Sequence, residues 1–277
     1  MVLEAIINPE QRLERKPWIV FAIGFLYASV AIIISLGMFR AQASMVVVFL
    51  IVFACIHFVY YLVKTEENKD ILISNELSLL KEHGKTVAVL LMLFFGVLGA
   101  FVAWGVLLPE PVANDLFAIQ IQTISGINAA SGKPISATFL PFIFFNNIKV
   151  LFFCMLFSFI YGAGAIFILI WNASVGGAFI ANFIRTKIAY LHPIHSTALG
   201  LVRYIPHGFF EMAAYFIGGL AGGIISYAVI KHDFGSHRFF KILFDASDLL
   251  LIAIILIVVG AFVEVFVTPM LVSLLSF

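Results

Sequence analysis

His207 and Glu211 stand four residues apart in the stretch Pro206-His207-Gly208-Phe209-Phe210-Glu211. On a helix their side chains leave the same face, one turn apart. The run continues through Tyr215, Gly218, Gly219, Gly222 and Gly223 and meets no further charge before Lys231. A third ionisable group, Glu264, is enclosed by Phe262, Val263, Val265 and Phe266 in the last apolar run. A charge at mid-membrane costs roughly 2.5–3.5 kcal/mol on insertion scales. Groups kept there either ligate, carry protons or bond one another. An imidazole and two carboxylates are a common ligand set for zinc or another divalent ion, with a water completing the shell. His207, Glu211 and Glu264 are therefore the candidate metal ligands. A metal-bound water there would attack an amide or ester at the membrane face, with Arg203 and Tyr204 beside it for an oxyanion. The His-Glu-x-x-His signature of zinc proteases is absent, and His192 and His195 can reach this site only through folding.

Other polar residues surround the same spans. Asn146, Asn147 and Lys149 open the fourth apolar run, Asn172 closes it, and Arg203 precedes His207. Asn146, Asn147, Asn172, Arg203, His207, Glu211 and Glu264 form the expected polar centre. Such groups also satisfy one another between membrane helices, adding about 0.6 kcal/mol per hydrogen bond, and buried Glu and His serve as proton relays. Three readings stay open at this point: a structural network in a membrane scaffold, a transporter or channel, and a metal-dependent intramembrane hydrolase.

The elements that must position these residues follow from composition. Hydrophobic residues make up 63% and charged residues 11% of the 277, against roughly 25% charged in soluble domains. Mean hydropathy is +1.12. Long apolar runs, rather than ten-residue alternating segments, indicate an all-α polytopic transmembrane bundle and exclude a β-barrel. The net charge of +1 is uninformative; no basic patch suggests nucleic acid, and the lipid bilayer is the expected environment. Cys55 and Cys154 both lie in apolar runs and read as buried hydrophobes.

About 20 apolar residues cross a bilayer, and about six spans are expected: 18–39, behind the basic Arg12, Arg15 and Lys16, then 45–63, 87–108, 148–171, 205–230 and 249–271. The first is too long for a cleaved signal and is read as a span. Asn172–Asn182 is apolar but short before Arg185 and Lys187, which suits a re-entrant or interfacial segment between spans four and five. Lys64 to Lys85 reads as a short amphipathic helix. Asp115–Ile127 reads as an interfacial helix, and Ser131-Gly132-Lys133-Pro134 as a turn. Six spans with most loop Lys and Arg inside place both termini in the cytoplasm. The polar residues concentrate late in the chain, so residues 1–140 read as a supporting half with an outside loop and residues 141–277 as the functional core.

Four motifs resemble the stage II sporulation protein M family. They are Phe145-Asn146-Asn147-Ile148-Lys149, the Gly-rich Trp171-Asn172-Ala173-Ser174-Val175-Gly176-Gly177, Pro206-His207-Gly208-Phe209-Phe210-Glu211, and Ala261-Phe262-Val263-Glu264-Val265-Phe266-Val267-Thr268-Pro269. The likeness runs from about residue 140 to the end. It implies a multi-pass protein of the cell membrane with a buried polar centre. It also implies the role of a scaffold or assembly factor working with cell-envelope enzymes; other membrane proteins and a homo-oligomer are further partners to expect.

Overall fold

The computed structural model describes residues 16–72, 76–131, 140–161, 164–188, 190–231 and 235–275. Arg12 and Arg15, and the turn expected beyond Ser131, lie outside them. The elements are α1 (Pro17–Met38), α2 (Ala43–Leu72), α3 (Glu76–Leu107), α4 (Glu110–Ser131), α5 (Leu140–Tyr161), α6 (Ala165–Ile188), α7 (Pro193–Lys231), α8 (His237–Phe262) and α9 (Thr268–Leu275). A 3₁₀ turn, Arg40–Gln42, joins α1 to α2, and a π-helical turn, Val263–Val267, joins α8 to α9. No strand occurs among the described residues.

Seven of these segments are long and apolar enough to cross a membrane, close to the six expected. The additional one is α6. The expected fourth span, 148–171, straddles a corner: α5 ends at Tyr161, and α6 begins at Ala165. At that corner a side chain on Gly164 would overlap the Phe157 carbonyl, so the chain turns where only glycine fits. Asn172–Asn182, expected to be re-entrant or interfacial, is instead the middle of a continuous 24-residue helix. It looks short in the sequence because its first two turns, residues 165–171, continue the apolar run of the previous span without a break.

Two further boundaries move. Lys64 to Lys85 is not a separate amphipathic helix but the facing ends of α2 and α3. The Glu66 carboxylate accepts from Thr86 Oγ1 at 2.6 Å and lies 2.7 Å from His83 Nδ1, with all three side chains almost fully buried. The helix carrying His207 begins at Pro193 rather than Ile205, so the His–Glu pair lies mid-helix in a 39-residue element that runs on through Pro206.

Contacts give the helix directions. Gly177 faces Phe101 and Gly105 faces Ala181, so α3 and α6 run parallel; Gly176 under Tyr204 and Gly200 against Ile184 make α6 and α7 antiparallel. Asn147, Leu151 and Met155 of α5 meet Tyr215, Gly218 and Gly222 of α7 in rising order, so these two helices are parallel, with α6 as the return between them. Side chains of Phe94, Phe101, Leu116, Ile170, Met212, Tyr215 and Leu220 are fully buried in one core shared by both halves of the chain. Large exposed apolar side chains such as Phe53, Phe145 and Phe244 cover the outside, as lipid requires. α7 is the central helix: 82% of its apolar window is buried, against 22% for α5.

α4 is the exception to the spanning pattern. It covers the expected interfacial stretch, bends at Phe117 (φ −111°, ψ 16°) and packs inward. Its buried Gln120 donates to the Ser44 carbonyl at 2.9 Å and to Ser174 Oγ at 3.2 Å, tying α4 to α2 and α6.

Candidate functional site

His207, Glu211 and Tyr215 recur at four-residue steps and so form one stripe along α7. Three elements close over it. From α5, Asn147 Nδ2 donates to Glu211 Oε1 at 2.5 Å, and Asn147 Oδ1 accepts from the Tyr215 hydroxyl at 2.9 Å. One amide thus serves an acceptor and a donor on successive turns of the facing helix, which uses both ends of its hydrogen-bonding capacity. Asn147 is 6% exposed and Tyr215 2%, so neither bond competes with bulk solvent. α5 reaches this close because α7 offers glycines: a side chain on Gly222 would overlap the Met155 carbonyl, and one on Gly218 the Leu151 side chain.

From the last segment, Thr268 Oγ1 stands 3.4 Å from His207 Nδ1, a long contact, and Gly260 packs beside the Glu211 side chain. Between them the π turn carries Glu264, partly buried and within electrostatic reach of Glu211, Tyr204 and Tyr215. Its cause lies in the sequence. Pro269 has no N–H for the Val265 carbonyl, and its ring would crowd that carbonyl in a regular helix. A wider turn just before the proline relieves the clash. From α6, Gly176 lets the Tyr204 ring lie flush against the helix, and that ring meets His207 edge-on with centroids 5.8 Å apart.

Of the expected polar centre, Asn147, His207, Glu211 and Glu264 come together and three residues do not. Asn146, about 100° further round α5, is exposed. Asn172 donates to the Ile168 carbonyl of its own helix at 2.8 Å. Arg203 is exposed, with its guanidinium over the rings of Phe179 and Phe183 at 6.0 and 5.5 Å, a cation–π arrangement. His192 caps the α6–α7 corner by accepting from the Ile194 N–H at 3.3 Å. Tyr215 and Thr268 were missed, although the four-residue repeat through Tyr215 was there to be read.

The Asn147 amide engages one oxygen of Glu211, and His207 turns Nδ1 to Thr268. No three His, Cys, Asp or Glu side chains among the described residues approach closely enough to share a cation. The three ligands expected at His207, Glu211 and Glu264 thus lie in one region without forming a cation-sharing group among the described residues. What the arrangement does is join α5, α7 and the α8–α9 segment through side chains that would be costly alone in lipid.

Fold and site together define a polytopic α-helical membrane protein with a hydrogen-bonded polar centre between its last helices. The chain belongs to the stage II sporulation protein M family, whose profile matches residues 45–269. The match begins at α2 and so takes in much of the half read as support. An uncharacterized protein of Methanocaldococcus jannaschii is 35% identical over 133 residues, covering 47% of this chain and 70% of that protein. No solved structure matches the chain.

Proposed function

We propose that this protein is a membrane-embedded scaffold or assembly factor whose polar centre holds the packing of α5, α7 and α8–α9. The observation that carries this reading is the Asn147 amide, which is used on both sides by Glu211 and Tyr215. A site built for turnover keeps groups free for a substrate, whereas this one spends them on interhelical bonds. The partners of such a scaffold are other membrane proteins or cell-envelope enzymes, or further copies of the chain. A second reading, proton-linked transport, draws on one observation: Glu264 sits on a π turn facing a proline-containing stretch of α7, and interrupted helices line many transport sites. Reconstitution separates the two. A scaffold leaves proton and cation flux in proteoliposomes at the level of empty vesicles. A flux that disappears in Glu211→Gln would overturn the scaffold reading.

We propose in addition that the two ends of the chain lie on opposite sides of the membrane, in place of the shared cytoplasmic location expected from six spans; the odd number of candidate crossings supports this. The basic flank Arg12, Arg15 and Lys16 and the Lys64–Lys85 hairpin share one side and make it the cytoplasmic one, so the end after α9 faces outward. Labelling of a cysteine placed at each end of the intact cell's protein tests this, and a C-terminal cysteine shielded from an impermeant reagent would refute it.

A further inference from the structure

A cavity of about 450 Å³ opens between α4 and α6 beside the end of α3, remote from the polar centre. Its floor is apolar, with Val106, Phe117, Ile121 and Ala178, and its charged groups are Arg185 and Glu110. Arg185 is held in place by the end of α3: Nη1 donates to the carbonyls of Gly105 at 2.7 Å and Leu108 at 2.8 Å. Those are terminal carbonyls without partners inside their own helix. The guanidinium is thereby anchored through one nitrogen, and among the described residues its Nε and Nη2 donors make no hydrogen bond. A fixed guanidinium with spare donors matches the geometry of a phosphate. Glu110, exposed in the first turn of α4, supplies the opposite charge across the mouth of the cavity.

The position of the cavity selects the occupant. α3 ends at Leu107 and α6 at Ile188, so Gly105, Arg185 and Ile188 mark the level where the apolar spans give way to the headgroup layer. A ligand here meets phosphate-binding donors, a carboxylate and an apolar floor at the depth of lipid headgroups. We propose that this cavity binds the headgroup of a zwitterionic aminophospholipid, with its phosphodiester on Arg185, its ammonium on Glu110, and the start of its chains over Phe117 and Ile121. The site does not depend on the scaffold reading.

The test uses the full chain in detergent, titrated with phosphatidylethanolamine, phosphatidylglycerol or soluble glycerophosphoethanolamine and read by native mass spectrometry. The expected result is one retained phosphatidylethanolamine, preferred over phosphatidylglycerol, with the soluble headgroup unable to displace it at equal concentration. Asn114→Trp, at an exposed position on the rim, should block the retained lipid without changing the unfolding transition. Glu110→Gln should reduce the preference for the ethanolamine lipid by about threefold, as expected for an exposed ion pair. Undiminished retention in Asn114→Trp would show an unspecific lipid belt and overturn the proposal. Equal competition by the soluble headgroup would reassign the cavity to a water-soluble ligand and overturn it as well. If Asn114→Trp fails to fold, an unchanged lipid preference in Glu110→Gln refutes the assignment alone.

Discussion

Asn146 and Asn147 are adjacent and chemically identical, yet the structure assigns them opposite fates, and replacing each with leucine measures that difference. Asn147→Leu keeps the side-chain volume close and removes both interhelical hydrogen bonds. It leaves the Tyr215 hydroxyl and one Glu211 oxygen buried without partners, each costing about 1–3 kcal/mol. In a membrane the unfolded reference finds substitute partners, and bonds measured there average about 0.6 kcal/mol. The lower bound is thus about 1.2 kcal/mol for two bonds, and the expected loss is about 2–4 kcal/mol. Asn146 is exposed to the outside of the bundle, where leucine suits lipid, so Asn146→Leu should change stability by no more than about 0.5 kcal/mol. The assay is reversible unfolding in mixed micelles, followed by circular dichroism. A cycle combining Asn147→Leu with Tyr215→Phe should show a coupling of about 0.5–1 kcal/mol, since the two changes remove the same bond. Equal losses at both asparagines, or no coupling to Tyr215, would refute the argument that the Asn147 amide is what joins α5 to α7.

Three further outcomes are expected. Glu211→Gln retains an oxygen to accept from Asn147 and should cost less than about 1 kcal/mol in the same unfolding assay; complementation in the native host then reports whether the charge itself is needed. Gly222→Val places carbon where the Met155 carbonyl lies and should destabilise by about 1–3 kcal/mol or more, visible as a lowered unfolding midpoint. Glu66→Leu removes the acceptor of Thr86 and one partner of His83 and should cost about 1–3 kcal/mol for each buried group left short of a bond, with proteolysis near the facing ends of α2 and α3 as the local readout.

The sequence alone established the membrane class, the number of crossings to within one, and the residues that would be costly in lipid. These follow from local quantities: a 20-residue apolar run has one physical use, and a Glu inside it must find a partner. The stripe of His207, Glu211 and Tyr215 was equally legible, because helical period alone sets which residues share a face. The corner at Gly164 was hidden because both helices it joins are apolar, so hydropathy passes across it without a dip.

Only tertiary packing decided the rest. Nothing local distinguishes Asn147 from Asn146; the direction in which α5 meets α7 does, and that direction depends on α6 returning between them as a full helix. The Glu66–His83–Thr86 cluster joins two helices across a stretch that the sequence alone presents as one short amphipathic helix. In the sequence Arg185 only closes the apolar stretch from Asn172, and the placement of α3 beside α6 is what gives it the Gly105 and Leu108 carbonyls. A hydrogen bond between distant segments is absent from every local pattern, because it depends on which helix faces lie opposite one another once the bundle has closed.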